Sequence, residues 1–186
     1  MSKSPELGVC YYPEHWPEKM WITDAENMHK NGITWVRIAE FAWSRIEPSS
    51  GVFDWNWLDK IVDILGNNGL KIVMCTPTAT PPKWLVDQMP DMVAIDENGQ
   101  ARKFGSRRHY SFSHIGYQKE SQRITKAIAE RYGQNNFVKA WQTDNEFGCH
   151  ETTYSWCLSS LREFRIWLEK KYQNIDDLNK SWGNVF

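Results

Sequence analysis

The chain has little cysteine, almost no net charge and no long apolar run, and each shortage removes a class of protein. Four cysteines in 186 residues, Cys10, Cys75, Cys149 and Cys157, are too sparse for a disulfide framework, and two of them fall in predicted strands. They are read as reduced thiols. Lysine plus arginine (22) nearly balances aspartate plus glutamate (23), so a formal charge of −1 supplies no basic field for nucleic acid or an anionic membrane. No apolar run reaches the length of a membrane span, and the opening Met1-Ser2-Lys3-Ser4-Pro5-Glu6 lacks the apolar core of a signal peptide, which makes the cytoplasm the expected location. No Gly-x-Gly-x-x-Gly follows a predicted strand, so a doubly wound dinucleotide fold is not expected, and nothing in the chain calls for a cofactor.

Aromatic residues are abundant instead. Eleven Trp, eight Phe and seven Tyr make up 14% of the chain, and several of them fall at strand ends or in loops. Sugars present apolar C–H faces that stack on indole rings, so the excess suits a carbohydrate site; filling of helix–sheet interfaces accounts for part of it.

Read in order, the hydrophobic pattern alternates between strand and helix. Residues 7–12 form a predicted strand stopped by Pro13, and a helix from about Glu18 places Trp21, Ala25 and Met28 on one face before Asn31-Gly32. A second strand, 34–39, delivers Glu40, Phe41 and Trp43 to the same end; a helix from about Asp54 carries Leu58, Ile61 and Leu65. A third strand, 70–76, ends at Pro77, and the next long helix starts near Tyr117, carrying Ile124, Ile128 and Tyr132. Between them, residues 77–113 are too long for a simple connection, and loops of that length are commonly functional. A short helix entering at Pro81-Pro82 and a hairpin of 92–95 with 101–104, turning at Asn98-Gly99, are expected there. The adjacent Arg107 and Arg108 are suited to donating to substrate hydroxyls or holding a carboxylate ionised; solvated or salt-bridged loop arginines are the alternative.

The fourth strand, 137–142, runs into Thr143-Asp144-Asn145-Glu146-Phe147-Gly148. It reads as a buried strand with a polar tip, and in parallel α/β folds catalytic groups stand at such C-terminal tips. A carboxyl group flanked by Trp141 and Phe147 is placed to be desolvated and to serve as a general acid, whereas the plainer alternative has Asp144 and Glu146 capping the next element. A helix from about Ser159, burying Leu161, Phe164, Leu168 and Tyr172, and a shorter segment at 176–182 close the chain. The fold class is therefore α/β with about four βα units, which is the N-terminal half of a (β/α)8 TIM barrel, since a closed barrel needs eight strands and about 250 residues.

Four blocks make a more specific resemblance: residues 8–17 (GVCYYPEHWP), 35–48 (WVRIAEFAWSRIEP), 104–110 (FGSRRHY) and 141–148 (WQTDNEFG) resemble the signature blocks of family 42 glycoside hydrolases, the microbial β-galactosidases. The resemblance implies that residues 1–186 are the N-terminal part of a TIM-barrel catalytic domain that hydrolyses terminal β-D-galactosides with retention. Retention uses two carboxyl groups about 5–5.5 Å apart. Glu146 then corresponds to the acid/base, Asn145 and Arg107 to galactose-binding residues and Arg37 to a residue lining the same pocket; Trp43 and Glu40 are further candidates for lining, Glu40 equally for a structural role. The family's nucleophile and its galactose-stacking Trp belong to later strands, outside this chain, and the full-length form is expected to be a homo-oligomer. Some members hold structural zinc in a cysteine cluster, but the matching positions here are Ser111, Ser155, Cys157 and Ser160, and one thiolate does not make such a site. No metal is expected, although Cys149 beside His150 leaves a fortuitous weak ligand pair.

Three readings follow. The first is a family 42 β-galactosidase lacking its nucleophile in these residues and inactive alone. The second is a non-catalytic carbohydrate-binding or complementing half-barrel. The third is a clan relative that hydrolyses other β-glycosides.

Overall fold

A computed structural model describes residues 5–105, 107–149 and 151–184. Ser106 and His150, and the first four residues on which the leader expectation rests, lie outside them. Strand β1 (Leu7–Cys10) ends before Pro13, and a 3-10 turn (Glu18–Met20) feeds α1 (Trp21–Lys30), which buries Trp21 and Ala25. Strand β2 (Ile33–Ile38) leads to a one-turn helix, α2 (Trp43–Ile46), and then to α3 (Asn56–Asn67), whose Leu58, Ile61 and Leu65 are fully buried. After β3 (Lys71–Cys75) come the short α4 (Lys83–Gln88) and the long α5 (Ile115–Tyr132), which starts where His114 Nδ1 accepts a hydrogen bond from the Tyr117 amide. Strand β4 (Val138–Gln142) precedes α6 (Leu158–Lys171) and α7 (Ile175–Trp182).

The four strands are all parallel and lie in the order β1-β2-β3-β4, each crossing to the next through helix, which is the arrangement of half a (β/α)8 barrel. One face of the sheet, bearing Val36, Ile38, Ile72 and Met74, is buried with the apolar sides of α1, α3 and α5 in a single core. The opposite face bears Arg37, Val73 and Ala140, in register across β2, β3 and β4, with Gln142 two residues beyond Ala140, and all four are only partly covered. That polar content, set beside an apolar helix-covered face, is what positions the site.

Several sequence expectations are corrected. Strand β4 is half-buried rather than buried, with Lys139 and Trp141 exposed, because it is an edge of the sheet. Helix α6 buries none of its residues, and Leu161 and Phe164 face solvent because no described strand lies beyond β4 for them to cover. The expected hairpin shrinks to one bridge, Ile95 with Ala101, because the Asp96 carboxylate accepts from the Asn98 and Gln100 amides and closes the turn within a few residues. Its other neighbour is Tyr110, bridged to Val93.

Candidate active site

At the C-terminal end of β4 the backbone bends sharply. Asp144 (φ 57°) and Glu146 (φ 44°) both adopt left-handed conformations, which cost non-glycine residues energy and persist only where surroundings fix them. Ala39, at the end of β2, and Arg108, in the loop before α5, are also left-handed (φ 71° and 55°). Strain therefore gathers at the same end of the sheet.

Asp144 is what holds the bend. Its amide donates to Thr76 Oγ1 (2.7 Å), its carboxylate accepts from Thr78 Oγ1 (2.9 Å) and Arg108 Nη2 (2.8 Å), and Oδ1 also accepts from the Asn145 amide. Arg108 is completely buried, its guanidinium lying over the rings of Phe112 and Phe147. Burial pushes up the pKa of Tyr110, which stacks on Tyr117 beneath the carboxylate, and the Asp144 charge adds to the effect. Asp144 thus organises the tip and does not cap the following helix, since its partners are Thr76, Thr78, Arg108 and the adjacent Asn145 amide.

Glu146 is presented outward, 55% of its side chain exposed, with Arg107 Nη1 3.0 Å from Oε2. Arg107 lies over the ring of Phe41. The flanking aromatics do not enclose the carboxyl group as expected, since Trp141 and Phe147 are themselves exposed. Its close neighbour is a cation with several donors, a group for which sugar hydroxyls can compete.

Arg37 is joined to this tip through a residue that sequence reasoning did not single out. Gln142 accepts from Arg37 Nη1 (2.8 Å) and donates to Asn145 Oδ1 (3.2 Å) and to the Asp144 carbonyl (2.9 Å). Arg37 also pairs with the buried Glu40 (2.5 Å), which in turn accepts from Tyr12. Burial pulls the Arg37 pKa down, but the Glu40 charge and the smaller effects of Cys10, Tyr12 and Cys75 together outweigh it and the net shift is upward; burial and the Glu40 bond together push Tyr12 to about 12. Glu40 is therefore structural support for Arg37, and Trp43 is a correction: it is fully buried in the core, its indole N–H bonded to Glu47. The structure brings Arg37, Arg107, Asn145 and Glu146 to one end of the sheet, with Gln142, Asp144 and Arg108 as the links between them.

A parallel half-barrel with arginines, an amide and an exposed carboxyl group at its C-terminal strand ends defines a barrel-type enzyme scaffold. The chain belongs to glycoside hydrolase family 42: the family model, described as β-galactosidase, matches residues 10–186. A β-galactosidase of Thermus thermophilus is 51% identical over 180 residues, covering 97% of this chain and 28% of its own length. The β-galactosidase Bga of Halorubrum lacusprofundi is 49% identical, covering 97% of this chain and 26% of its own. The crystal structure of a β-galactosidase from the psychrophilic Marinomonas ef1 superimposes with a TM-score of 0.96 at 54% identity, over 98% of this chain and 28% of that one. The chain thus spans about a quarter of the length of the relatives it matches. The catalytic domain of a Paenibacillus polymyxa β-amylase, 16% identical, bears on the fold alone: 97% of this chain matches 50% of that domain with a TM-score of 0.69.

Proposed function

We propose that residues 1–186 form the N-terminal part of the catalytic domain of a β-galactosidase that hydrolyses terminal non-reducing β-D-galactose residues with retention. Glu146 protonates the leaving oxygen and then, as carboxylate, draws a proton from the incoming water. Asn145 and Arg107 hold galactose hydroxyls, and Arg37 fixes Asn145 through Gln142. The nucleophilic carboxylate comes from outside these residues, so the 186-residue chain alone turns over no galactoside at a useful rate. The observation that supports the reading is the strained tip of β4, where Glu146 is held outward beside Arg107 while Asp144 is tied down behind it. In the double displacement, a hydrogen bond from an amide to the 2-hydroxyl strengthens as positive charge develops at the anomeric carbon.

Chromogenic galactosides, glucosides and mannosides, offered to the complete product of the coding sequence, test the substrate. Preference for the galactoside by at least tenfold in kcat/KM is expected. Equal or better turnover of a glucoside or mannoside would assign the site to another β-glycoside, and sugar binding without turnover would remove the catalytic role.

A further inference from the structure

Apart from the candidate active site, the structure gathers four side chains that the family resemblance matches to a zinc-binding cysteine cluster. Ser111 precedes α5, Ser155 lies in the loop after β4, Cys157 is the N-cap of α6 and Ser160 stands in its first turn. The Ser160 hydroxyl is 3.1 Å from Ser111 Oγ and 3.4 Å from Cys157 Sγ, while Ser155 Oγ accepts from the amides of Ile95 (3.1 Å) and Cys157 (3.4 Å). Ser111 and Cys157 are buried.

This donor set does not fit zinc. A structural zinc site closes a tetrahedron of thiolate or imidazole ligands at about 2.0–2.3 Å, and neutral hydroxyls are poor substitutes at three of the four corners. Here the polar atoms satisfy one another directly, the Ser160 hydroxyl between Ser111 and Cys157 and the Ser155 hydroxyl on backbone amides.

We propose that Ser111, Ser155, Cys157 and Ser160 form a metal-independent clasp, in which hydroxyls gathered around one sulfur tie the segment before α5 to the start of α6. The same seam continues outward: the Trp156 amide donates to the Ile95 carbonyl (2.9 Å), the Ser111 amide to the Met92 carbonyl (2.7 Å) and Arg102 Nη2 to the Glu151 carbonyl (2.7 Å). Burial alone would raise the Cys157 pKa, but hydrogen bonds from Ser111, Ser155 and Ser160 overcome it and bring the thiol to about 7. The hydroxyls are thus arranged to satisfy sulfur in either protonation state. The clasp joins the segment that carries Arg107 to the segment that follows Glu146, so it preserves the spacing between those two side chains without an ion. Its existence does not depend on the proposed activity, because metal content and stability report on it directly.

The test uses the complete gene product. Elemental analysis after dialysis is expected to find well under one zinc per chain, and a chelator is expected to leave Tm unchanged. One firmly held zinc that Cys157→Ser releases, or a chelator-induced fall in Tm, would overturn the proposal. Ser160→Ala is expected to lower Tm by about 1 °C in a protein of the complete product's length, and Ser160→Thr, which keeps the hydroxyl, to restore it. An unchanged Tm in Ser160→Ala would also overturn the clasp. Failure of Ser160→Ala to fold counts for it if Ser160→Thr folds normally, and against it if both fail.

Discussion

Arg108 Nη2 lies 2.8 Å from Asp144 Oδ1, and the arginine that makes this contact is wholly buried. The pair fastens the loop before α5 to the tip of β4. Each partner has a neighbour that faces outward, Arg107 beside Arg108 and Glu146 two residues past Asp144, and those two meet at 3.0 Å. A buried ion pair therefore sets the geometry of an exposed one.

Removing one member leaves the other charge buried and uncompensated, at a cost of about 3–5 kcal/mol. Asp144→Ala is thus expected to lower stability by that order in chemical denaturation. The double variant Asp144→Leu with Arg108→Met should recover much of the stability while activity stays low, because the strained tip no longer has its anchor. Recovery of activity along with stability would show that the pair does not position the site.

A second prediction concerns Glu14, in the turn after β1. Its carboxyl oxygens are shut off from solvent with no hydrogen-bonding partner among the described residues, and burial raises its pKa. A carboxyl group whose folded pKa lies above its unfolded value favours folding most fully below the unfolded pKa, and that contribution is lost as pH rises through the folded pKa. Glu14→Gln is therefore expected to stabilise the protein at pH 7 by roughly 1 kcal/mol, with the difference shrinking as pH falls toward about 4. Denaturant midpoints across that range check it. A variant that is less stable at pH 7 would show that the charged form is favoured.

Most of the fold was legible because periodicity reports burial directly: Leu58, Ile61 and Leu65 on one helix and Ile124, Ile128 and Tyr132 on another are core residues as their spacing implied. Helix α6 shows the limit of that inference, since its apolar face has no described strand to cover and stays exposed. In the site, Glu146 was singled out by its residue type at a strand end and Arg107 by its place beside Arg108 in a long loop, and the structure sets the two 3.0 Å apart. The links behind them were not legible. Gln142 meets Arg37 across 105 residues of sequence, and Arg108 meets Asp144 across 36, so neither contact leaves a local pattern to read. Nothing in a Trp-Ser-Arg-Ile run distinguishes a buried indole serving Glu47 from one lining a pocket, which is why Trp43 had to be reassigned.

The role of Glu146 as acid/base is tested most directly by Glu146→Ala in the complete gene product, assayed on two substrates. An alkyl galactoside needs its leaving oxygen protonated, and its turnover is expected to fall by about 10²–10⁴-fold. A dinitrophenyl galactoside leaves without protonation, so its first step should survive, and added azide should speed its second step by replacing the water that Glu146 no longer activates. A glycosyl azide product would be the signature. Equal losses on both substrates, with no response to azide, would contradict the account and leave Glu146 a structural residue.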